Sequence, residues 1–331
     1  MKILCSISTK NRYDNYLPMA LMSVINQTRK VDHLTIYDDN DAPRDLRESE
    51  VYVHLFRLMD EKWGSGKWDV TSTDKKGQHY NHQRGNTTPG YDAVWRIDDD
   101  TVAEPDVLEK LEAQMVEGVG AVGGSVLTPP VYPAPMCATK IADIYTKPNR
   151  QWFRIDKTEE IEHLHCSFLY RTGIANYDLR LSKKAHREET MFTYAIKLKG
   201  YRVLITPCIT YHLKSQSGGI RSDNDKRDYD HDEAIFRGWL GFKETKKRLY
   251  VLNNGLGDHL QFLQAITPEP DATVACCYPE ILTRAGHKNL VSIAQAQQMV
   301  NVDDYDVYAW AGRRQWKGTL IDAFREMYRS L

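Results

Sequence analysis

The chain has 331 residues, enough for one large domain with a small one or for two of medium size, each burying a core of its own. With 41% apolar and 27% charged residues it has an ordinary globular composition, which excludes a disordered or low-complexity chain. Lys and Arg (44) nearly cancel Asp and Glu (45), so no global field exists to hold a polyanion.

Lys2 to Ser8 reads as a buried strand, followed by a polar turn from Thr9 to Asn15. A helix from about Leu17 to Gln27 comes next, with Pro18 in its first turn and Leu17, Leu21, Val24 and Thr28 on one face. Val31 to Tyr37 is a second strand, ending at Asp38-Asp39-Asn40. Strand, helix, strand with acids where the second strand stops predicts an α/β fold, a parallel sheet with covering helices. After a looser Gly- and Trp-bearing region, Trp63 to Gly77, a third strand from Ala93 to Ile97 runs straight into Asp98-Asp99-Asp100. Pro105 opens an amphipathic helix with Val107, Leu108, Leu111 and Met115 inward, and Val119 to Val122 returns as a strand. The Pro-rich excursion from Thr128 to Pro148 reads as loop, and His163 to Tyr170 as strand. Arg187 to Lys199 is a helix closed by Gly200, then come a strand from Tyr201 to Thr206, Tyr211-His212, and a Ser/Gly-rich loop from Lys214 to Ser222.

Between Ser222 and Lys247 the composition turns highly charged, which marks a boundary between residues 1–240 and a small α/β accessory domain, 241–331. In the latter, Arg248 to Leu252 and Ala272 to Cys277 read as strands. The turn Asn253-Asn254-Gly255-Leu256-Gly257-Asp258 leads into a helix carrying Leu260, Leu263 and Ile266. Acceptor recognition or oligomerisation are the roles this unit suggests. Local basic stretches, Lys243 to Arg248 and Arg313-Arg314, are the places a nucleic acid would need, although a solvated face explains them as well and nucleic acid is not favoured. The six cysteines form no CxxC pair, which points to a reducing compartment, and no stretch is long and apolar enough for a membrane span or signal peptide. A cytoplasmic location is the expectation.

Three consecutive carboxylates at a strand end repel one another unless a cation or donors intervene. Mg²⁺ or Mn²⁺ takes hard oxygen ligands and leaves room for diphosphate oxygens, so a dication would resolve the conflict; an acidic turn capping the next helix is the plainer alternative. Glu188-Glu189 opens the Arg187 to Lys199 helix, where the dipole alone favours carboxylates, yet a carboxylate held there is also placed to take a proton from a hydroxyl. His212 has the chemistry of a metal ligand, and Gly218 and Gly219 would let the following loop close, with Lys214 or Arg221 reaching phosphate oxygens.

The order of these pieces carries more than any one of them. Thr9-Lys10-Asn11-Arg12, Tyr37-Asp38-Asp39, RIDDDTVAEPD from Arg96, REETMFTYAIKLKGYRV from Arg187, and Tyr211-His212 together resemble family 2 glycosyltransferases over about 220 residues. That resemblance implies the GT-A fold, a nucleotide-diphosphate sugar donor with UDP favoured, Mn²⁺ or Mg²⁺, and inversion at the anomeric carbon. Carried over by position, it implies nucleotide contacts from Thr9 and Asp39, with Arg12 and Asp38 beside them, from Asp99, and from Gly77 in the stretch to Asn81. It implies Asp98 and Asp100 as the two acids of a DxD motif, Asp100 as metal ligand five residues before Pro105, and His212 as a metal or diphosphate ligand. Glu189 matches the catalytic base. The family usually has Glu-Asp where this chain has Glu188-Glu189, so which of the two acts stays open. The processive QxxRW signature is absent.

The acceptor hydroxyl could belong to a saccharide, a lipid-linked sugar, a protein side chain or a modified nucleobase. Nucleotidyl transfer also uses acidic strand ends and metal, but it predicts a Gly-rich phosphate loop where Ser8 to Asn15 has no Gly. A glycosyltransferase-like binding module without turnover is the third reading. Gly255-Leu256-Gly257-Asp258 resembles the first turn of heptosyltransferase-like GT-B enzymes, with a structural turn as the simpler explanation.

Overall fold

The computed structural model describes residues 1–72, 74, 77–129, 137–214, 219, 226–240, 247–267, 272–296 and 302–329. In chain order the first part holds β1 (Ile3–Thr9), α1 (Leu17–Ile25), β2 (His33–Asp38), α2 (Glu50–Trp63), β3 (Trp68–Ser72), α3 (Gln78–Thr87), β4 (Ala93–Arg96), β5 (Thr101–Ala103) and α4 (Val107–Ala113). It continues with β6 (Val119–Leu127), β7 (Glu159–Ile161), β8 (Phe168–Arg171), α5 (Glu188–Leu198), β9 (Arg202–His212) and α6 (Lys226–Trp239).

All seven residues of β1 are buried, as expected of a strand covered on both faces. Its alternate side chains divide between two cores. Ile3, Cys5 and Ile7 join Leu17 and Leu21 of α1, Leu55 and Phe56 of α2 and Leu108 and Leu111 of α4. Leu4 faces the other way, with Val94, Phe168, Tyr170 and, from α5, Phe192 and Ile196. The sheet runs β3-β2-β1-β4-β8-β6-β9-β5, with β7 also paired to β9. Strands β3, β2, β1 and β4 are mutually parallel, whereas β8 is antiparallel to both β4 and β6. Strand order reverses at β1, between β2 and β4, so the carboxyl ends of three parallel strands open on one crevice, the usual ligand position in such sheets.

Several readings from sequence change. β9 is one strand, not two pieces, because it carries Pro207 through a register slip against β6 between Ile205 and Ile209. Gly124 lies opposite that slip, where an added Cβ would come within 2.3 Å of the Cys208 sulfur. The strand expected from His163 begins only at Phe168, since Cys166 takes φ 54° and the chain bends sharply enough for Ser167 N–H to donate to the His165 carbonyl at 2.7 Å. The charged stretch after Ser222 contains α6, which seats Phe236 against Ile141, Leu181 and Met191. Helix α2 has no counterpart in the reading of the sequence.

Contacts divide the chain into two units, Met1–Phe242 and Lys243–Leu331. The second has its own parallel sheet, β12-β11-β10-β13, built from β10 (Lys247–Leu252), β11 (Thr273–Cys276), β12 (Leu290–Val291) and β13 (Val302–Asp306). Its helices are α7 (Leu256–Ala265), α8 (Pro279–Arg284), α9 (Ile293–Ala296), α10 (Val307–Arg313) and α11 (Leu320–Arg329). The inward face of α7 is His259, Phe262 and Leu263 rather than Leu260, which is 46% exposed. His259 is buried and ties the helix start, accepting from Tyr278 N–H on one ring nitrogen and meeting the Gly255 carbonyl with the other. Gly255 caps α7 at φ −66° and Gly257 lies within it, so neither glycine serves a left-handed turn. All six cysteines are free thiols. Among the described residues no helix is long and apolar enough to cross a membrane.

Candidate active site

The crevice is built from strand ends. Thr9 closes β1, Asp38 closes β2, and the Asp98–Asp100 triplet follows β4. Register brings distant residues to them. Thr101 of β5 pairs with His212 of β9, which places His212 beside Asp100, with Nε2 at 3.4 Å from Oδ1. Arg96 pairs with Phe168, so the chain leaving β4 toward Asp98 runs beside the chain that enters β8 from His165 and Cys166.

Each acid has a distinct setting. Asp99 is buried, accepts from Thr9 Oγ1 at 2.7 Å, and is paired with Arg12. Burial, partly offset by Arg12 and reinforced by Asp100, pushes its carboxyl from 3.8 up to about 6. Asp100 is also buried and lies 3.1 Å from Arg12 Nη2 as well as beside His212. Burial works against charge on His212, but the hydrogen bond and charge of Asp100 prevail and favour its imidazolium. Asp98, 18% exposed, is the most open of the three and is held by Arg96 Nη2 at 3.0 Å.

Arg96 is fully buried and serves three acids. Its Nη2 is 2.6 Å from Glu188 Oε1, and its Nη1 is 3.8 Å from Glu189 Oε1. Its Nε donates to His82 Nε2 at 3.2 Å, which makes that ring nitrogen an acceptor and leaves Nδ1–H to donate to Ser6 Oγ at 3.0 Å. Burial and the Arg96 charge together keep His82 neutral, its pKa well below the usual range. Glu188 also accepts from Gln78 Nε2 at 2.8 Å. Burial, opposed by Arg96 and reinforced by Glu189, raises the Glu188 carboxyl well above the carboxylate range. Glu189 Oε1 is 3.0 Å from His165 Nδ1. The two glutamates, of which the resemblance matches Glu189 to the base without closing the choice, therefore differ: Glu188 is pinned by Arg96 and Gln78, and Glu189 meets His165.

A second cluster lies at the end of β2. Asp38 accepts from Tyr13 and from Asn40 N–H at 3.0 Å, while Asp39 accepts from Gly77 N–H at 2.9 Å. Gly77 is at φ 123°, and a Cβ there would come within 2.6 Å of the His79 ring, so this position is closed to other residues. Asn81, one turn into α3, donates to Ser8 Oγ at 2.8 Å. A cavity of about 150 Å³ opens beside Asp38, lined by Arg44, Arg47, Phe56, Val70 and Ser72 among others. Lys214 Nζ stands 5.8 Å from the Trp152 ring, and Gly219 packs on the Arg12 guanidinium while its N–H donates to the Lys10 carbonyl. Arg221, Gly218, residues 130–136 of the Pro-rich excursion and Lys243 to Lys246 of the basic stretch lie outside the described residues.

Of the residues expected from sequence, the structure gathers Thr9, Arg12, Asp98, Asp99, Asp100, Glu188, Glu189 and His212 through shared contacts, and Asp38, Asp39 and Gly77 through theirs. It adds Arg96, His82, His165 and Cys166, which no local pattern singles out. Three potential ligand atoms come within 4.8 Å of one another in two sets, Asp98/Cys166/His212 and His165/Cys166/Glu189.

A parallel half-sheet with acids at its carboxyl ends, joined through antiparallel β8 to a second half in which β9 returns a histidine and the start of α5 supplies paired glutamates, is the GT-A fold. The chain belongs to glycosyl transferase family 2, whose model matches residues 5–175, and it is a glycosyltransferase. A search of curated proteins finds no match. Among solved structures the chain is similar to S. aureus TarS 1–349 in complex with UDP-GlcNAc, at 14% identity and TM-score 0.51 over 71% of this chain and 65% of that one. It is also similar to GalNAc-T7 with UDP, GalNAc and Mn²⁺, at 12% identity and TM-score 0.54 over 96% of this chain and 58% of that one. The chain thus spans less than two thirds of either protein, and the likeness is one of fold.

Proposed function

We propose that this glycosyltransferase moves a sugar from a UDP-type donor to an acceptor hydroxyl with inversion, using a divalent cation. The observation that carries the reading is the convergence of Asp98, Asp100 and His212 at one end of the crevice and Glu189 at the other, both tied to Arg96 or Arg12. The donor set suits Mn²⁺ or Mg²⁺: carboxylate oxygens and one imidazole, with room left for phosphate oxygens. The charge balance also fits a cation. Five carboxylates of the crevice, Asp98, Asp99, Asp100, Glu188 and Glu189, share two arginines. A dication held by Asp98, Asp100 and His212 would supply neutralisation of the departing diphosphate.

The protein's own groups do the rest. The end of β2, with Asp39 fixed on Gly77 N–H and the cavity beside Asp38, is assigned to the nucleoside. Arg12, set between Asp99 and Asp100, screens those acids from the incoming phosphates. Glu189 takes the acceptor proton on Oε, with His165 3.0 Å away to accommodate the charge change, while Arg96 keeps the neighbouring Glu188 in place.

The test is a panel of nucleotide sugars scored by thermal stabilisation with Mn²⁺. The cognate donor should stabilise the wild type by about 2.7 kcal/mol at 100 times its Kd, and Asp100→Ala much less. Equal stabilisation of both, or none across the panel, would remove the reading.

A further inference from the structure

We propose that Asp98, Cys166 and His212 form a site for a thiophilic divalent cation, of which Zn²⁺ is the natural example, with the Cys166 thiolate as a ligand. The three donor atoms lie within 4.8 Å of one another, and the Cys166 Sγ to His212 Nδ1 separation is 3.8 Å. Metal–sulfur and metal–nitrogen bonds of roughly 2.3 and 2.0 Å at a tetrahedral angle set sulfur and nitrogen about 3.5 Å apart, so that edge of the polyhedron is already nearly formed. The two edges of the imidazole face different donors: Nε2 looks toward Asp100 and Nδ1 toward the sulfur. Asp98 is the most exposed of the triplet and can supply the oxygen, and water can fill the fourth position.

The same sulfur belongs to the second ligand set, with His165 and Glu189, and His165 Nδ1 is buried without an aligned hydrogen bond. The thiol thus stands between the cation end and the base end of the crevice. Hard Mn²⁺ or Mg²⁺ makes little use of sulfur, whereas Zn²⁺, Co²⁺ and Cd²⁺ bind it strongly. On coordination the S–H bond breaks as the metal–sulfur bond forms, and the proton leaves to solvent. A thiophilic ion bound here draws Asp98 and His212 toward Cys166, so it competes with the cation of the transfer reaction. The competition rests on the function proposed above; the binding itself does not.

The test uses the full chain without metal, in a Cys137→Ser/Cys277→Ser background that removes the more accessible thiols. Titration with Co²⁺ should produce a near-ultraviolet sulfur-to-cobalt charge-transfer band, and Zn²⁺ should abolish it. Adding Cys166→Ser should eliminate the band and weaken Zn²⁺ binding by at least the roughly 10- to 100-fold that losing even an outer partner costs a metal site. His212→Gln, tested in the same background in case the serine variant does not fold, should weaken Co²⁺ binding while any residual band stays sulfur-derived. Zn²⁺ should also suppress Mn²⁺-dependent donor stabilisation in the parent, and do so only at higher concentration in Cys166→Ser. No charge-transfer band in the parent, or one that survives Cys166→Ser, overturns the proposal. A band in a protein that transfers no sugar upholds this site and removes the transfer reading instead.

Discussion

A guanidinium with no solvent exposure, as Arg96 has, must find its counter-charge inside the fold, and here it finds Glu188, Asp98 and Glu189. Burial works against the Arg96 charge, but those acids outweigh it and hold the group protonated well above its usual range. The consequence is a division of labour between adjacent glutamates. Glu188 is committed to Arg96 and Gln78, and in the proposed function Glu189 is the proton acceptor. Glu189→Gln should lower turnover by roughly 10²- to 10⁴-fold with little change in donor affinity, whereas Glu188→Gln, which keeps the same bonds, should lower it by less than about tenfold. Steady-state release of nucleoside diphosphate measures both, and the reverse ranking would move the base to Glu188. The acids and His212 were legible in the sequence because carboxylates at strand ends and a lone imidazole announce their chemistry. Arg96 was visible only as the first letter of RIDDD. Nothing local tells that it is buried, nor that His165 and Cys166 fold back beside Asp98.

At the scale of elements, the start of α5 is held from outside by α6. Asp232 of α6 is buried and accepts from Ser182 N–H at 2.6 Å, Ser182 Oγ at 2.9 Å and His186 N–H at 2.8 Å, all in the segment that leads into Glu188. Glu233 reaches His186 and Arg187 at 3.2 Å from the next position, and its carboxyl is held far below the usual range by those partners and Tyr145 despite its burial. Asp232→Asn replaces an acceptor-only carboxylate by a group with one acceptor, which should cost about 1.5–3 kcal/mol in denaturant unfolding. Turnover should fall with it while donor binding holds, because the glutamates lose their placement. A stability loss with unchanged turnover would reduce α6 to a structural brace. The charged composition of this stretch reads in sequence as a boundary, since only Asp232 and Phe236 are buried in α6 and its packed apolar residues, Ile235, Phe236 and Trp239, come only near its end. Strands fared better where burial is two-sided, as in β1, and worse where Pro207 interrupts β9, whose continuity depends on pairing with β6 rather than on its own residues.

For the whole molecule, the order of the motifs pointed to the family because Thr9, Asp38 and the Asp98–Asp100 triplet mark strand ends of one sheet; the family match over residues 5–175 covers those three, while Glu188-Glu189 at the start of α5 and His212 at the end of β9 follow it in the chain. The second unit has a complete parallel sheet and its own core around Tyr250, Phe262 and Phe324, and its sequence specifies that core without specifying a ligand. The proposed cation would be gathered by Asp98 and Asp100, between β4 and β5, and by His212 at the end of β9. The most direct measurement is anomalous scattering from crystals of the full chain grown with Mn²⁺ and UDP. A manganese peak in coordination contact with Asp100 and His212 and with the diphosphate is the predicted result; a peak elsewhere, or UDP bound in the crevice with no metal beside it, would contradict it.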